Sequence, residues 1–477
     1  MPGREDSVSP HWHPLLKRHD LQALYTWPDL PDAVSRSSRT ACLGVESRRM
    51  AQRSDRQNLP SKGAKAGESR RTFLKTALGA GSAVAGFSIA RAARAGSSRA
   101  RWKAHEVAEI PEGYQVAVAD VDGDGRPDIL ALSSGQNIVD WYQDPSWRSR
   151  SVTTSTEKNI SLAPLFRPGY PAQGMALATG FNLDHAEAGG DLWWARTGAS
   201  LDSEWSLTPI GRIPGSHRLR WADLDGDGQL ELVVVPIVGA GARPPDYIVP
   251  AQITWFQMPA ALRSGHAQAA LAKSSKWAPH LIDDTLNLVH GVHVMDWNGD
   301  GRDEILAASA QGVNLFTSTG QGANLEWTRT LLTAGDQTEQ YHGASEIDVG
   351  KIHGRRFLAT IEPWHGDKVV VYPSSKNGFT ERLVIDSSFK SGHALVCADL
   401  DGDGNDEIVA GYRGQGTSLF IYHAKDDQGS AWERETLDTE MGTSCLTIAD
   451  INGDGRPDIV AIGSSTANVK WYENLGA

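Results

Sequence analysis

The sequence predicts an all-β fold, a seven-bladed β-propeller closed by an N-terminal strand and preceded by a disordered leader and a signal segment. An acidic, glycine-containing loop recurs five times in one register along the chain. Short apolar strands flank each copy, and strands that carry aromatic residues follow at similar spacing. Four-stranded units that recur at a period of roughly 40–50 residues are typical of propeller blades.

The recurring loop has the composition of a calcium-binding turn. Its first copy is Asp120-Val-Asp-Gly-Asp-Gly-Arg-Pro-Asp128, and positions 1, 3, 5 and 9 hold a carboxylate or an amide in every copy. Ca²⁺ prefers six to eight oxygen ligands, and glycine at positions 4 and 6 permits the positive φ of a tight turn. We therefore predict up to five structural Ca²⁺ ions with these side-chain ligands: Asp120, Asp122, Asp124, Asp128, Asp223, Asp225, Asp227, Glu231, Asp296, Asn298, Asp300, Glu304, Asp399, Asp401, Asp403, Glu407, Asp450, Asn452, Asp454 and Asp458.

Each loop lies inside one predicted blade. The first loop follows the apolar strand Val116–Ala119 and precedes the strand Ile129–Leu132, and a third strand ends in the pair Trp141-Tyr142. A fourth strand opens with an aromatic residue, for which the candidates are Trp147, Trp205, Trp277, Trp327, Phe379 and Trp432. One antiparallel blade thus consists of a strand, the loop and three further strands.

Two further blades lack the loop but keep the strands. In blade two Gly174–Thr179 is the predicted inner strand, and in blade five Ala344–Asp348 takes that place. The chain ends after a third strand, and Trp102–Ile110 has the form of the missing fourth strand. We therefore predict a propeller over residues 102–477 in which the N-terminal strand completes blade seven, so that no inner edge is left open.

The first hundred residues differ from the rest. Residues 1–68 are polar and without a periodic pattern, which predicts a disordered extension; a start at Met50 would leave residues 1–49 untranslated. Residues 69–95 contain Ser69-Arg-Arg-Thr-Phe-Leu-Lys75, an uncharged run and small-residue cleavage sites, and they resemble a twin-arginine export signal. We therefore expect a periplasmic or extracellular protein. The uncharged run is too short for a stable membrane anchor.

The charge of the chain disfavours several classes of partner. The sequence carries 46 Lys and Arg against 58 Asp and Glu, and the acidic excess lies after residue 100. An acidic body argues against nucleic acid and anionic membrane surfaces as partners. The sequence contains no nucleophile elbow, phosphate-binding glycine loop or Cys-x-x-Cys motif, and it does not specify the oligomeric state.

Histidines recur at one position of the predicted inner strands. Six residues before the first loop position, or before its counterpart in the degenerate blades, are Tyr114, Gln173, His217, His290, His342, His393 and Ser444. Neutral imidazoles that converge on one axis are a common transition-metal site. We predict one divalent metal such as Zn²⁺ or Mn²⁺, bound by His290, His342 and His393, with His217 as a fourth candidate ligand. The alternative is that each histidine only caps backbone at the start of its strand.

The loops between second and third strands are predicted to open on the same side as this ring. They supply Glu362, Trp364, His365, Tyr412 and Arg413. His293 and Arg220 lie three residues before their loops, and we expect them to point into the same mouth. We predict catalytic roles for His365, Tyr114, His293 and Arg413. Substrate-binding roles are predicted for Arg220, Glu362, Trp364 and Tyr412. For Trp364 and Tyr412, packing within a blade is an equal alternative.

These residues resemble two known families. The five loops with their strands resemble the FG-GAP (VCBS-type) repeat, which implies the propeller fold over residues 102–477. The histidine ring and the stretch Ile361-Glu-Pro-Trp-His-Gly366 are similar to the propeller domain of aldos-2-ulose (1,5-anhydrofructose) dehydratases. That resemblance implies a carbohydrate substrate and a metal-dependent dehydratase or lyase that acts by β-elimination on a keto- or anhydro-sugar.

Such an elimination suits the predicted mouth chemically. A divalent metal polarises a carbonyl or carboxylate and favours loss of the neighbouring proton, which a His or Tyr accepts. The alternative function is a non-catalytic, calcium-stabilised propeller that binds glycans or protein partners. A mouth without a transition metal, and with histidines that only cap backbone, would favour this alternative.

Overall fold

A computed structural model describes residues 99–477 except residues 171, 199 and 264–275. The predicted extension (residues 1–68) and signal segment (residues 69–95) lie outside the described residues. Within the described part of the chain, seven four-stranded sheets follow one another. The predicted all-β, seven-bladed propeller is therefore confirmed.

The strands of the first four blades run from the channel outwards in chain order, after strand β1 (Trp102–Glu109). Blade one contains β2 (Gly113–Ala119), β3 (Asp128–Ser133), β4 (Val139–Gln143) and β5 (Arg148–Thr153). Blade two contains β6 (Ser161–Leu165), β7 (Gly174–Thr179), β8 (Asp191–Arg196) and β9 (Ser206–Arg212). Blade three contains β10 (Ser216–Ala222), β11 (Glu231–Pro236), β12 (Ile253–Gln257) and β13 (Ala278–Asp283). Blade four contains β14 (Gly291–Met295), β15 (Glu304–Ser309), β16 (Gly312–Thr319) and β17 (Glu326–Thr333).

The last three blades follow the same plan. Blade five contains β18 (Glu346–Ile352), β19 (Arg355–Glu362), β20 (Lys368–Pro373) and β21 (Leu383–Asp386). Blade six contains β22 (Gly392–Ala398), β23 (Glu407–Tyr412), β24 (Leu419–Ala424) and β25 (Trp432–Asp438). Blade seven contains β26 (Thr443–Ala449), β27 (Asp458–Gly463) and β28 (Asn468–Asn474). The described helices are short: α1 (Ala260–Arg263) and two 3₁₀ turns at Ala186–Ala188 and Gly322–Asn324. None of the described helices is long and apolar enough to cross a membrane.

The N-terminal strand closes the ring, as predicted. Strand β1 pairs antiparallel with β28 and becomes the outer strand of blade seven, with Trp102 opposite Asn474. Beyond that pair, the Arg101 amide donates to the Gly476 carbonyl at 3.0 Å and the Leu475 amide donates to the Arg101 carbonyl at 2.8 Å. Both ends of the propeller are therefore held by one sheet.

The core lies between neighbouring blades. The second strands are almost wholly buried, and the third strands bring in large aromatic side chains that are fully buried, among them Trp141, Trp194, Trp255, Tyr372 and Tyr422. Each such side chain removes enough apolar surface from water to contribute roughly 1.5–3 kcal/mol. Face-to-face packing of blades thus makes a rigid frame around the inner strands.

The inner strand of blade two differs from the prediction. Strand β6 is innermost, because it contacts the inner strands of blades one and three, and Gly174–Thr179 is the second strand. The Ile160 amide donates to the Ala178 carbonyl at 3.0 Å, so Ile160 and not Gln173 begins the inner strand. Without an acidic loop, nothing in the local sequence distinguished the first strand of this blade from the second.

The register of blade five also differs from the prediction. Strand β18 continues to Ile352, and a tight turn joins it to β19 with Ile352 opposite Arg355. The Ser345 amide donates to the Ile361 carbonyl at 2.8 Å, as the His290 amide donates to the Ala308 carbonyl in blade four. The position equivalent to His290 is therefore Ser345. The predicted place of His342 in the ring is wrong, because Asp348 lies within the strand and does not mark its end.

Candidate active site

A shared β-bulge aims side chains into the mouth of the channel. The inner strands of blades one, three, six and seven all change register around their second residue. A bulge of this kind bends a strand and re-aims the extra side chain, and bulges are frequent beside active sites. The bulged residues are Tyr114, His217, His393 and Ser444.

Three imidazoles converge at this level. One ring nitrogen each of His290, His365 and His393 lies within 4.8 Å of the other two, and the Nε2 atoms of His290 and His365 are 3.2 Å apart. His393 belongs to the inner strand β22, His290 directly precedes the inner strand β14, and His365 comes from the loop after β19. His365 has a φ of 49° in a turn closed by the Gly366 amide and the Pro363 carbonyl, and this turn returns its ring to the mouth.

Hydrogen-bond acceptors behind the imidazoles fix the orientation of two of these rings. His290 Nδ1 lies 2.7 Å from Glu346 Oε1, and His393 Nδ1 lies 2.6 Å from the Ser444 carbonyl oxygen. Both partners only accept, so each Nδ1 carries the proton and each Nε2 presents its lone pair to the centre. A carboxylate or carbonyl behind an imidazole is the usual support of a metal-binding histidine.

Burial favours the neutral form of the three imidazoles. Burial lowers the pKa of His365 and of His393 well below its usual range, and the Arg413 guanidinium lowers both pKa values further. Burial also lowers the pKa of His290, although Glu346 opposes that change. Neutral imidazole is the form that binds a metal ion.

The spacing of one pair in this group suits a shared metal ion. Two nitrogens that are each about 2.0–2.1 Å from a tetrahedral ion lie roughly 3.4 Å apart. The observed separation of 3.2 Å between His290 Nε2 and His365 Nε2 is close to that value. With a lone pair on each nitrogen, this contact repels unless a proton or a cation lies between them.

A tyrosine and a fourth histidine lie next to this group. The Tyr114 hydroxyl is 2.5 Å from His217 Nε2 and 3.2 Å from His393 Nε2. Arg218 places one guanidinium nitrogen 3.2 Å from the same His217 Nε2 and donates another hydrogen bond to Glu346 Oε1 at 3.2 Å. Burial raises the pKa of Tyr114, and the positive charges of Arg218 and Arg413 oppose that rise.

The fourth metal ligand predicted at His217 is therefore not supported. Its Nε2 faces a guanidinium and a hydroxyl, and a permanent positive charge at 3.2 Å disfavours a metal cation on that nitrogen. The pKa of His217 is lowered well below its usual range by burial and then by Arg218. His217 is thus a neutral acceptor for the Tyr114 hydroxyl. His342 is also outside the group, because its side chain is exposed on the surface.

Aromatic side chains cover the mouth on the side of blades two to five. Trp364 stacks on His365 with ring centroids 4.7 Å apart, and Tyr341 and Tyr247 meet Trp364 edge-on at 5.0 and 5.8 Å. Phe181 packs against His217 at 5.6 Å. Trp364 therefore lies beside the candidate site, where it holds the His365 ring.

Two of the predicted substrate-binding residues are placed elsewhere. Glu362 is fully buried, and its carboxylate accepts hydrogen bonds from Thr360, Tyr372 and Arg382 inside the blade. Tyr412 is also buried, where it packs on Phe389 with ring centroids 5.1 Å apart. The prediction that these two side chains face the substrate is wrong, because each is directed into the packed blade.

His293 and Arg220 lie deeper in the channel than the three-histidine group. His293 is three residues after His290, about 10 Å along a strand, and its Nδ1 contacts Asp348 Oδ1 at 2.5 Å. Arg220 donates to the Leu219 carbonyl at 2.9 Å, and burial lowers its pKa. The structure does not bring these two residues to the mouth. Arg413 does act there, because its positive charge lowers the pKa values of His365 and His393 and opposes the rise in the pKa of Tyr114.

The acidic loops have the geometry of cation sites at the other ends of the inner strands. Side chains at positions 1, 3 and 9 converge in three loops, as Asp120, Asp122 and Asp128 do in the first. Both Asp120 carboxylate oxygens accept glycine amides of the loop, at 2.8 and 3.0 Å, and Gly123 and Gly125 have the positive φ that was predicted. Burial raises the pKa of the ninth-position acid to about 6 for Asp128 and to about 8 for Glu231.

The acid at position 5 does not belong to the convergent group in any of these three loops. In two loops this acid pairs with an arginine: Asp124 with Arg126 at 2.5 Å in the first loop, and Asp454 with Arg456 in the fifth.

Sequence reasoning missed Glu346 and Arg218. Both are buried charged residues in inner strands and they pair across blades three and five at 3.2 Å. A charged residue at a position that should be apolar is a signal for such a site. Blade five has no acidic loop to mark the register of its inner strand. The sequence therefore did not show which strand position Glu346 occupies.

Comparisons with known proteins agree with the propeller fold. The family model for the β-propeller domain of aldos-2-ulose dehydratase matches residues 189–375, an FG-GAP-like repeat matches residues 399–461, and an FG-GAP repeat matches residues 113–138. The chain resembles the propeller domain of aldos-2-ulose dehydratase. The aldos-2-ulose dehydratase of Phanerodontia chrysosporium is 28% identical over 408 residues, an alignment that covers 76% of this chain. That alignment covers 43% of the fungal protein, so the chain matches less than half of its relative.

Proposed function

We propose that this chain is an exported, metal-dependent carbohydrate dehydratase or lyase that acts by β-elimination on a keto- or anhydro-sugar. The observation that carries the proposal is the group His290, His365 and His393, whose nitrogens converge beside the Tyr114 hydroxyl. The name of the fungal relative supports a sugar as substrate. The large share of that relative outside the alignment is why its whole activity is not transferred here.

The metal would be held by His290, His365 and His393. A divalent ion bound there would polarise a substrate carbonyl and lower the pKa of the adjacent C–H group. The Glu346 carboxylate accepts a hydrogen bond from His290 Nδ1–H. This bond orients the ring so that the lone pair of His290 Nε2 is directed at the centre of the group. Burial of Glu346 alone would raise its pKa, but His290 and Arg218 outweigh burial and lower it, so the carboxylate is charged.

Tyr114 is the residue we assign to proton transfer. Its hydroxyl is held 2.5 Å from His217 Nε2, which orients it. The hydroxyl gives its proton to the departing hydroxyl of the sugar, which leaves as water, and the phenolate oxygen takes the α-proton in exchange. Tyr114 thus ends the cycle as the neutral phenol with which it began. Burial disfavours the phenolate that forms in between, and the positive charges of Arg413 and of Arg218, whose guanidinium lies 5.8 Å from the centre of the ring, oppose that effect.

The acidic loops and the leader have separate roles in the proposal. Ca²⁺ at the loops would neutralise converging carboxylates such as Asp223, Asp225 and Glu231, and it would join the strands on either side. Export by the twin-arginine-type segment at residues 69–95 would place the folded protein in the periplasm or outside the cell.

The test compares two histidines, one in the group and one outside it. His365→Ala should lose the transition metal and the elimination activity, whereas His342→Ala should keep both, because His342 is exposed. Metal content is measured by elemental analysis, and activity by the absorbance of the unsaturated product from 1,5-anhydrofructose. A wild-type protein with calcium as its only metal and no turnover would overturn the proposal in favour of a glycan- or protein-binding propeller.

A further inference from the structure

A buried hydroxyl without a partner lies in the ring of inner-strand residues. Ser444 is 1% exposed, and its Oγ has no hydrogen-bond partner among the residues that the structure describes. Its main-chain carbonyl oxygen does have a partner, because it lies 2.6 Å from His393 Nδ1. Within the described part of the chain, the side-chain oxygen thus lacks a partner although the carbonyl oxygen of the same residue has one.

The register places Ser444 at the same level of the channel as the proposed site. Ser444 occupies the same bulged position in β26 that Tyr114 occupies in β2 and His393 occupies in β22. Around the ring, blade seven lies between blade six, which carries His393, and blade one, which carries Tyr114. The Tyr114 hydroxyl and His393 Nε2 already meet at 3.2 Å, so Ser444 lies between two residues that converge.

Ser345 in blade five provides a comparison. It is the serine at the equivalent position, it is fully buried, and its Oγ donates to the Ile361 carbonyl at 3.4 Å. Its carbonyl oxygen lies 3.2 Å from His290 Nδ1, as the Ser444 carbonyl lies near His393 Nδ1. The two serines thus share their backbone role and differ in the partner of the hydroxyl. A buried hydroxyl without a partner loses its hydration and gains nothing in return.

We propose that Ser444 is a substrate-binding residue whose hydroxyl pairs with an oxygen of the carbohydrate, so that the sugar lies against blades six, seven and one. A serine hydroxyl both donates and accepts, which suits the hydroxyl and carbonyl groups of a sugar. The opposite side of the mouth is covered by aromatic side chains, with Phe181 on His217 and Trp364 on His365. This inference rests on the proposed function, because it names the side from which that site binds its substrate.

The experiment uses Ser444→Ala in the metal-loaded, full-length protein, with 1,5-anhydrofructose as the probe. Loss of a hydrogen bond that is present in both ground state and transition state should raise KM by about 3- to 10-fold and leave kcat nearly unchanged. The melting temperature should stay the same or rise, because the substitution removes an unpaired polar atom. Ser345→Ala is the matched stability control, and its melting temperature should fall.

The outcomes separate this inference from the proposed function. If the wild type turns over the probe and Ser444→Ala keeps its KM, Ser444 does not bind substrate and the dehydratase proposal stands. If the wild type binds the probe by calorimetry without turnover and Ser444→Ala weakens that binding, the reaction is wrong and the role of Ser444 holds. A fall in melting temperature as large as that of Ser345→Ala, without loss of affinity, would mean that the hydroxyl is structural. A wild type that neither binds nor converts the probe overturns both.

Discussion

Replacement of Glu346 by glutamine tests the support behind the proposed metal site. The Glu346 carboxylate is 2.7 Å from His290 Nδ1 and 3.2 Å from Arg218, and the residue is buried. Glu346→Gln removes the charge, so the His290 ring loses its anionic partner. Loss of a carboxylate that supports a metal-binding histidine typically costs 10- to 100-fold in metal affinity, or about 1.4–2.7 kcal/mol. Arg218 also loses its buried counter-charge, so we expect a lower melting temperature as well.

Asp348→Asn is the matched control for this substitution. Asp348 lies two residues further along β18 and contacts the Nδ1 atom of His293, a histidine outside the three-histidine group. We expect both variants to melt earlier and only Glu346→Gln to bind Zn²⁺ or Mn²⁺ more weakly, as measured by competition with a chromogenic chelator. Equal metal affinity in Glu346→Gln and wild type would refute the support role, and equal loss in both variants would mean a general loss of structure.

Three other predictions concern calcium, catalysis and export. Removal of Ca²⁺ by a chelator should lower the melting temperature by about 5 °C or more, and Asp399→Ala should reproduce part of that fall. The measurement is calorimetry with and without chelator, and coincident unfolding curves would speak against bound calcium. Tyr114→Phe should reduce kcat by about 10²- to 10⁴-fold while metal content stays normal, and activity close to that of the wild type would exclude Tyr114 as the proton-transferring group. Lysine at both Arg70 and Arg71 should leave the precursor in the cytoplasm, as cell fractionation would show, and normal export of the double variant would count against the twin-arginine route.

Stability at low pH offers a further check on the closed ring. Burial alone would raise the pKa of Asp438, but the Glu440 amide, the Tyr472 hydroxyl and Lys470 outweigh it and lower the pKa. The charged form therefore stabilises the fold above the pKa of the unfolded chain, and that stability is lost as the pH falls through the folded pKa. Asp438→Asn should melt earlier than wild type at pH 7, and the difference should shrink in acid. A difference independent of pH would contradict this assignment.

The fold could be predicted from the sequence because its signals are local. The loop of Asp120 to Asp128 repeats in one register, and each copy marks the end of one strand and the start of the next. The strand at Trp102 has the pattern of a fourth strand, and the last blade lacks one, so closure followed from counting. Fold, blade number and closure thus depend on short loop and strand patterns that are visible along the chain.

The composition of the site depended on contacts between distant parts of the chain. In blades with an acidic loop, counting six residues back from the first loop position located His290 and His393 correctly. Blade five has no such loop, and the same count selected His342 although Ser345 occupies the equivalent strand position. His365 reaches the group only because a turn in the left-handed region returns its ring to the mouth. The sequence determined the propeller through its repeats. Register and bulges, set by pairing between strands far apart in the chain, decided which side chains meet at its centre.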